Sequence, residues 1–367
     1  MPSTNARLQD RAVGHAVDLT RYNNGVLARI MAVLNRSDAR LAAQLSEALM
    51  RMEASTFTVE RLEAMLASVR KTNRAAFDIA FERLAPELEA IAEFEVAYQR
   101  ATLRASVPAA VQLQFPIAAV SAEQAYAAAL ARPFQGRLLK GWAANVEASR
   151  MTLIRNAVRA GFVEGQTTAQ IIGTIRGTRA LNYADGLLDR SRREVATVVQ
   201  TALSHTAQRA RAEFYKANSD LIKGVVWLAT LDNKTTPECA VRDGLEYTAD
   251  TNEPIGHSVP WLGGPGALHF NCRSVDIPIT KSWRELGLNI DEIPAGQRAS
   301  MDGQVPADLT YGEWFGRQSA ARQDEIVGTT RGELFREGKV TFEKFSNDKG
   351  QGLDLDALYK REGLTRP

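Results

Sequence analysis

The chain has 367 residues, of which 45% are hydrophobic, 24% are charged and 7% are aromatic. This composition excludes the disordered and collagen-like classes, and the length predicts two or three domains with their own apolar cores. The formal net charge of +2 identifies neither a strongly basic nor a strongly acidic protein, so the local distribution of charge is the informative quantity.

The N-terminus and the cysteine content predict a protein made in a reducing cytoplasm. Charges are scattered through residues 1–19, a pattern unlike that of a signal peptide. Two cysteines, Cys239 and Cys272, are too few for a disulfide framework. No segment approaches the roughly 18 consecutive apolar residues of a membrane-spanning helix, so we expect no membrane role.

Residues 1–120 predict a helical N-terminal region. One apolar stripe extends from Leu41 to Met52 and the next from Val59 to Val69, each with the i, i+4, i+7 spacing of an amphipathic helix. Thr58 precedes the second stripe, where its hydroxyl would cap a helix. The pattern therefore predicts two helices that form a hairpin.

Residues 121–222 predict a basic helical region, with helices over about 136–160, 169–176 and 189–218. Between Arg132 and Lys216 there are 14 lysine and arginine residues against six acidic ones, a net charge of +8. The simplest interpretation is a solvated helix face. The alternative is polyanion binding through phosphates alone, because no aromatic residues are interleaved for base stacking. The candidate contacts are Arg150, Arg155, Arg159, Arg192, Arg193, Arg209 and Arg211.

Residues 223–285 predict a small α+β module, because the β-branched and aromatic run GVVWLAT is followed by turn-rich sequence and a short helix at KSWRELGL. Residues 286–309 are polar, with proline and glycine, and predict a linker. Residues 310–367 carry short groups of apolar residues and predict a separate helical tail. The predicted fold class is mainly α with one α+β module.

The module contains both cysteines, and His269 lies three residues before Cys272. Cys239, His269 and Cys272 are candidate zinc ligands, with Asp232, Asp243 or His257 as the fourth. The preferred alternative is structural, with two small buried cysteines and a histidine hydrogen-bonded inside a loop. A cysteine nucleophile or a metal-dependent nuclease is a further alternative. No phosphate-binding loop is present, because GGPG at 263–266 lacks a strand-to-helix context, so no nucleotide cofactor is expected.

The segments WLATLDNKTTPECAVRDGLEY and GPGALHFNCRS resemble the core signature of the phage Mu protein F-like head morphogenesis proteins. TYGEWFGRQSAARQDEIVGTTRGELFREGKVTFEKF is similar to the C-terminal segment of such proteins, so the resemblance covers roughly 136–360. Two features depart from it, since Glu238 and Ser274 stand where relatives often carry cysteines, and Gln200–Ala202 replaces an Arg-Thr-Glu triplet. The signature residues expected to build the module are Trp227, Asp232, Asp243, Gly244, Asn271 and Arg273.

The resemblance implies a minor head protein of a tailed bacteriophage and not an enzyme. It implies a position inside the head near the portal protein, contact with capsid or scaffolding protein, and a role in head morphogenesis and in DNA packaging or delivery. The seven basic-region arginines would then contact DNA or portal. The rivals are an enzyme or toxin built on the Cys239, His269 and Cys272 module, and a nucleic-acid-binding protein that works outside any particle.

Overall fold

A computed structural model describes residues 4–51, 58–288, 297–300, 303–306 and 309–365. The chain forms two compact units, each built from non-contiguous segments. The sheet unit comprises Met1–Thr20, Ala92–Ala129 and Ser204–Pro367, and the helical unit comprises Arg21–Ile91 and Leu130–Leu203. These units do not follow the contiguous boundaries predicted at 120/121 and 222/223, because three long helices each contribute residues to both.

The helical unit is formed by parts of the three long helices together with two shorter ones. The long helices are α1 (Thr4–Met50), α2 (Val59–Ser106) and α7 (Leu187–Ala217), and the shorter ones are α5 (Leu139–Val163) and α6 (Thr168–Arg176). Helix α3 (Ala109–Gln114) and helix α4 (Ala122–Leu130) follow α2 in the chain, and all of α3 and residues 122–129 of α4 belong to the sheet unit.

The predicted helical hairpin is confirmed, and its two apolar stripes form the core of the helical unit. The Thr58 hydroxyl accepts the Arg61 backbone N–H at 3.3 Å, as predicted for a helix cap. A capping box at Thr167 and Gln170 likewise begins α6. The buried core residues come from all five helices and include Leu41, Leu45, Leu49, Leu62, Leu66, Val69, Ile154, Val158, Ile171, Ile175 and Leu188.

A buried ion-pair network lies among these apolar side chains. The Arg150 guanidinium is 2% exposed and donates to the Asp38 carboxylate, whose other oxygen accepts from Arg192 at 2.5 Å. Burial lowers the pKa of Arg150, and Asp38 opposes that shift. Buried charges require such compensation, so the network fixes how α1, α5 and α7 pack in this unit.

The sheet unit contains an antiparallel four-stranded sheet of order β3-β2-β1-β4. Its strands are β1 (Ile222–Leu228), β2 (Glu246–Thr248), β3 (Pro254–Ile255) and β4 (Val275–Thr280), and the short helix α8 (Pro237–Ala240) follows β1. Between β1 and the edge strand β4, Trp227 lies opposite Asp276 and Val225 lies opposite Pro278. The predicted fold class, mainly α with a small α+β module, is therefore confirmed.

The C-terminal tail, predicted as a segment of its own, packs into the same apolar core as the sheet. Its helices are α9 (Tyr311–Gly316), α10 (Ala320–Val327), α11 (Thr329–Arg336) and α12 (Leu355–Glu362). Tyr311, Trp314 and Phe315 are at most 1% exposed. Aromatic side chains bury enough apolar area for these short helices to be stabilised by the core instead of by their own hydrogen bonds.

Two local predictions between the sheet and the tail were wrong. Residues 281–288 form successive turns instead of a helix, with Gly287 at φ +78° and Leu288 N–H bonded to the Trp283 carbonyl. The predicted linker contains a hairpin of β5 (Gln297–Ser300) and β6 (Gly303–Pro306), while its remaining residues 289–296, 301–302 and 307–308 lie outside the described ranges.

Four charged or titratable side chains meet inside the sheet unit. The Arg211 guanidinium lies 3.1 Å from Asp276 on β4 and 3.6 Å from Glu95 on α2. Glu95 also hydrogen-bonds to His15 on α1 at 2.7 Å and accepts from Gln99 at 2.7 Å. Burial alone would raise the pKa of Glu95, but Arg211 and His15 outweigh it and hold that pKa below its usual value.

None of the helices within the described residues combines the length and apolar character that crossing a bilayer requires.

Glu95→Gln should destabilise the protein at neutral pH by about 3 kcal/mol, because it removes one carboxylate from a buried arginine. Since the native pKa of Glu95 is lowered from 4.5, its stabilisation is present above that value and is lost as the pH falls through the native pKa. Urea unfolding should therefore show the difference between wild type and variant shrinking from pH 7 to about pH 3. The exposed Glu93→Gln change on the same helix is the control, and a pH-independent difference would contradict the assignment.

Candidate functional site

The segment after β1 places Cys239 in the buried core of the sheet unit. The Thr236 hydroxyl accepts the Cys239 N–H at 3.4 Å and caps α8, with Pro237 at its first position. Proline suits that position because its missing N–H would have had no helical partner. The Cys239 side chain is consequently held inward and is 2% exposed.

The second segment brings His269 and Cys272 to the same place. Gly266 has φ +77°, and an added Cβ would lie 2.9 Å from the Ser204 carbonyl oxygen, so only glycine fits there without displacement. Asn271 also has a left-handed backbone, at φ +57°, which asparagine tolerates better than most residues. The turn closes with the Cys272 N–H bonded to the His269 carbonyl.

The three side chains form a buried Cys2His cluster, defined as Cys239, His269 and Cys272. The Cys239 Sγ lies 3.6 Å from the Cys272 Sγ and 3.2 Å from the His269 Nε2. The hydrogen bond from Cys239 lowers the pKa of Cys272 and burial opposes it, whereas the hydrogen bond to Cys272 raises the pKa of Cys239. The hydrogen bond to Cys272 raises the pKa of His269, although burial opposes that shift.

The donor set of the Cys2His cluster fits a single metal ion, because the ligand atoms all lie within 4.8 Å of one another. None of the three residues predicted as a fourth ligand belongs to that group. Asp232 pairs with Arg273, Asp243 binds two backbone N–H groups, and His257 hydrogen-bonds to the Glu246 carbonyl at 2.8 Å.

The same geometry is poorly suited to nucleophilic catalysis. A nucleophilic cysteine has to meet its substrate, yet Cys239 and Cys272 are 2% and 1% exposed. Their neighbours are one another, His269 and backbone groups. The arrangement is therefore better suited to holding two chain segments together than to attacking a substrate.

Asp243 connects three parts of the sheet unit. One carboxylate oxygen accepts the Ala229 N–H at the end of β1, and the other accepts the Tyr311 N–H at the start of α9, both at 2.7 Å. Gly244 follows with φ +79°, and its N–H donates to the Trp227 carbonyl at 2.9 Å. The signature Asp-Gly pair thus shapes the turn after α8 and anchors the tail.

Asp232 and Arg273 form a second link between the two segments of the module. The guanidinium contacts both carboxylate oxygens, at 2.5 and 2.9 Å. Arg273 dominates in lowering the pKa of Asp232, although burial opposes it. The Asp232 backbone carbonyl accepts the Tyr311 hydroxyl at 2.9 Å. Both signature residues therefore have structural contacts.

Trp227 is fully buried and packs edge-on against Trp261, with ring centroids 5.3 Å apart. Sequence reasoning missed its neighbour Arg242, which is 1% exposed and donates to the Pro260 and Glu238 carbonyls. It also missed Ser274, whose side chain hydrogen-bonds to Cys239. The sequence signal that could have identified these two residues was their position, since Arg242 directly precedes Asp243 and Ser274 directly follows Arg273.

The structure corrects the list of candidate arginine contacts. Arg150 and Arg211 are buried against carboxylates, so they are not available to DNA or to another protein. Arg192 is largely buried against Asp38, and Arg209 hydrogen-bonds to the Gly263 carbonyl. Three of the seven are exposed: Arg155, Arg159 and Arg193.

A cavity of about 430 Å³ lies beside the tail within the sheet unit. Its wall is largely apolar, with Tyr311, Phe342 and Phe345 among the lining residues. Its charged groups have internal partners, since Arg331 donates to the Leu353 carbonyl and Asp354 caps α12. The cavity therefore supplies no set of converging polar groups that would define a ligand.

Residues 152–277 match the family model described as Phage Mu protein F like protein, a span that contains the sheet strands and the Cys2His cluster. The match confirms, over this span of about a third of the chain, the predicted resemblance to the phage Mu protein F-like head morphogenesis proteins. No curated protein and no solved structure matches the chain significantly.

Asp243→Asn should destabilise the sheet unit by about 1–3 kcal/mol, because an amide cannot accept both backbone N–H groups. Hydrogen exchange should quicken at the Ala229 and Tyr311 amides in particular. Asp250→Asn is the control, since the Asp250 side chain accepts only from its neighbour Thr251 in an exposed turn. Unchanged exchange at the Tyr311 amide would contradict the role of Asp243 as an anchor.

Proposed function

We propose that this protein is a minor head protein that binds the portal inside the capsid and acts in head morphogenesis and in genome packaging or delivery. The observation that carries the proposal is the family match over residues 152–277, together with a module whose signature side chains have internal partners. A protein of this kind supplies folded surfaces to an assembly and needs no turnover.

The internal hydrogen bonds and ion pairs of the polar residues support a non-enzymatic role. Asp232, Asp243 and Arg273 each bind groups within the sheet unit. Cys239 and Cys272 are buried. Catalytic groups are usually left partly unsatisfied and open to a substrate, which is not the situation of these five residues.

The helical unit offers a surface for packaged DNA. A concave surface of about 300 Å³ lies between α2 and α5 and is lined by Arg70, Arg74 and Arg155, with one acidic residue, Glu147, which accepts a hydrogen bond from Asn73. Arg70 and Arg155 share the single carboxylate of Glu63, at 2.7 and 3.5 Å. Among the described residues Arg74 has no ion-pair partner. The groove therefore has an excess of positive charge that suits a phosphate backbone.

This groove revises the predicted DNA contacts. Arg155 remains, and Arg159 lies one helical turn further along α5 and is exposed. Arg70 and Arg74 of α2 join them, although no motif in the N-terminal region predicted a role there. Contacts of this kind recognise phosphates and not bases, so binding should be independent of DNA sequence.

Replacing both Arg74 and Arg155 by alanine should weaken binding to duplex DNA about tenfold and reduce the slope of log affinity against log salt by about 2. Fluorescence anisotropy over a salt series measures both quantities. The double change Arg36→Ala with Arg40→Ala is the matched control, because it removes two exposed arginines from α1 in the same unit. Equal loss in both variants would show that only net charge matters and would contradict the groove.

Portal association should appear as co-elution when this chain and the portal protein of the same phage are co-expressed and separated by size exclusion. In purified particles, protease should spare the chain while the capsid is closed and cleave it after the capsid has been opened. A chain that elutes alone at every mixing ratio, or that is cleaved equally in closed particles, would contradict the proposed position. A chain that binds DNA but is absent from particles would favour the rival of a free DNA-binding protein.

The rival enzyme or toxin is favoured by one observation, the close approach of His269 to Cys239 at 3.2 Å. That rival requires the Cys2His cluster for activity. Particle assembly in a strain complemented with Cys272→Ser distinguishes the two, provided the variant protein is folded. Normal yield of infectious particles with loss of a nuclease or toxic activity would favour the enzyme, whereas an assembly defect without such an activity favours the head protein.

A further inference from the structure

The distances between the side-chain atoms of the Cys2His cluster are close to those between the ligands of a metal site. Tetrahedral zinc with bonds of about 2.3 Å to sulfur and 2.0 Å to nitrogen would place two sulfurs about 3.8 Å apart and sulfur and nitrogen about 3.6 Å apart. The Cys239 Sγ lies 3.6 Å from the Cys272 Sγ and 3.2 Å from the His269 Nε2. Only a few tenths of an ångström of expansion would be needed.

His269 is oriented as a metal ligand would be. Its Nδ1 lies 2.8 Å from the Phe270 carbonyl oxygen, which can only accept, so Nδ1 carries a hydrogen and donates it. In the neutral ring this leaves the lone pair of Nε2 directed at the sulfurs. Metal-binding histidines are usually held by such a second hydrogen bond to a carbonyl or carboxylate.

Cys272 is prepared to carry negative charge. Its sulfur accepts the Gly266 N–H at 3.3 Å and a second backbone N–H from Ser274, two residues further along. A thiol is a weak acceptor, whereas a thiolate is the form that binds metals. Two amide donors that converge on one buried sulfur therefore favour the thiolate.

Ser274 occupies the remaining side of the Cys2His cluster. Its side chain is 4% exposed and hydrogen-bonds to Cys239. The three residues predicted as fourth ligands are each engaged elsewhere. Two hydroxyls lie beside Cys239, those of Thr236 and Ser274. The Thr236 hydroxyl already caps α8 by accepting the Cys239 N–H, which leaves that of Ser274. A tetrahedral site closes with a fourth ligand, and the site of Ser274 is where that ligand would enter.

We propose that Cys239, His269 and Cys272 bind one structural Zn²⁺, with Ser274 beside the fourth coordination position. Binding would release the two thiol protons of Cys239 and Cys272, because both cysteines bind zinc as thiolates. The ion would join α8, which follows β1, to the turn that precedes β4. It would therefore cross-link the two segments that carry the family signature.

Metal analysis tests the proposal directly. Wild-type protein reconstituted with Zn²⁺ under reducing conditions should retain about one zinc per chain after dialysis, and Co²⁺ in its place should give the thiolate-to-metal absorption and intense visible bands of a tetrahedral sulfur-containing site. Cys239→Ser and Cys272→Ser should lose both signals. His257→Gln, the other histidine of the module, is the matched control and should keep them.

Ser274→Cys gives a test that does not depend on destabilised variants. A third sulfur at that position should complete the site and slow the transfer of zinc to a competing chelator at least tenfold, while Ser274→Ala should not. Wild-type protein that retains no zinc after reconstitution would overturn the proposal. An unchanged zinc content in Cys272→Ser would also overturn it. The same holds for a mass two hydrogens lower in the reduced preparation, which would show a Cys239–Cys272 disulfide. None of these results depends on portal binding.

Discussion

The burial of Arg211 between two carboxylates is the constraint on which the sheet unit depends. Taking a guanidinium out of water costs several kcal/mol, and only well-placed carboxylates offset it. Glu95 comes from a helix and Asp276 from the edge strand β4, so the ion pairs fix the position of the sheet on its helices. Burial raises the pKa of Asp276 although Arg211 opposes it, which shows how little solvent remains in this network.

That constraint determines where the Cys2His cluster forms. Asp276 is the second residue of β4, and Cys272 lies four residues before it, so a strand fixed by Arg211 also fixes the turn that carries the cysteine. Asp243 fixes the other side by binding the end of β1 and the start of α9. The cluster is thus assembled by contacts made outside it, as a preorganised ligand site requires.

A module built in this way is consistent with a head morphogenesis protein. The family signature residues have internal partners: Trp227 fills the core, Asp232 and Arg273 pair, and Gly244 shapes a turn. A signature of this kind preserves a fold, so a surface for other components of a particle has to lie elsewhere. The surface that we propose is the arginine groove of the helical unit, lined by Arg70, Arg74 and Arg155.

The sequence by itself determined the long helices, the first strand, the Thr58 cap and the resemblance of the module to its family, because periodicity, capping and motif spacing are local properties. It also named the three residues of the Cys2His cluster, but not that they meet. Only the tertiary structure decided that Arg150 and Arg211 are buried, that the tail belongs to the sheet unit, and that Ser274 faces Cys239. These facts depend on contacts between residues far apart in the chain. Such contacts are selected by the balance between the cost of burying a charge and the gain from pairing it, and this balance leaves no local pattern in the sequence.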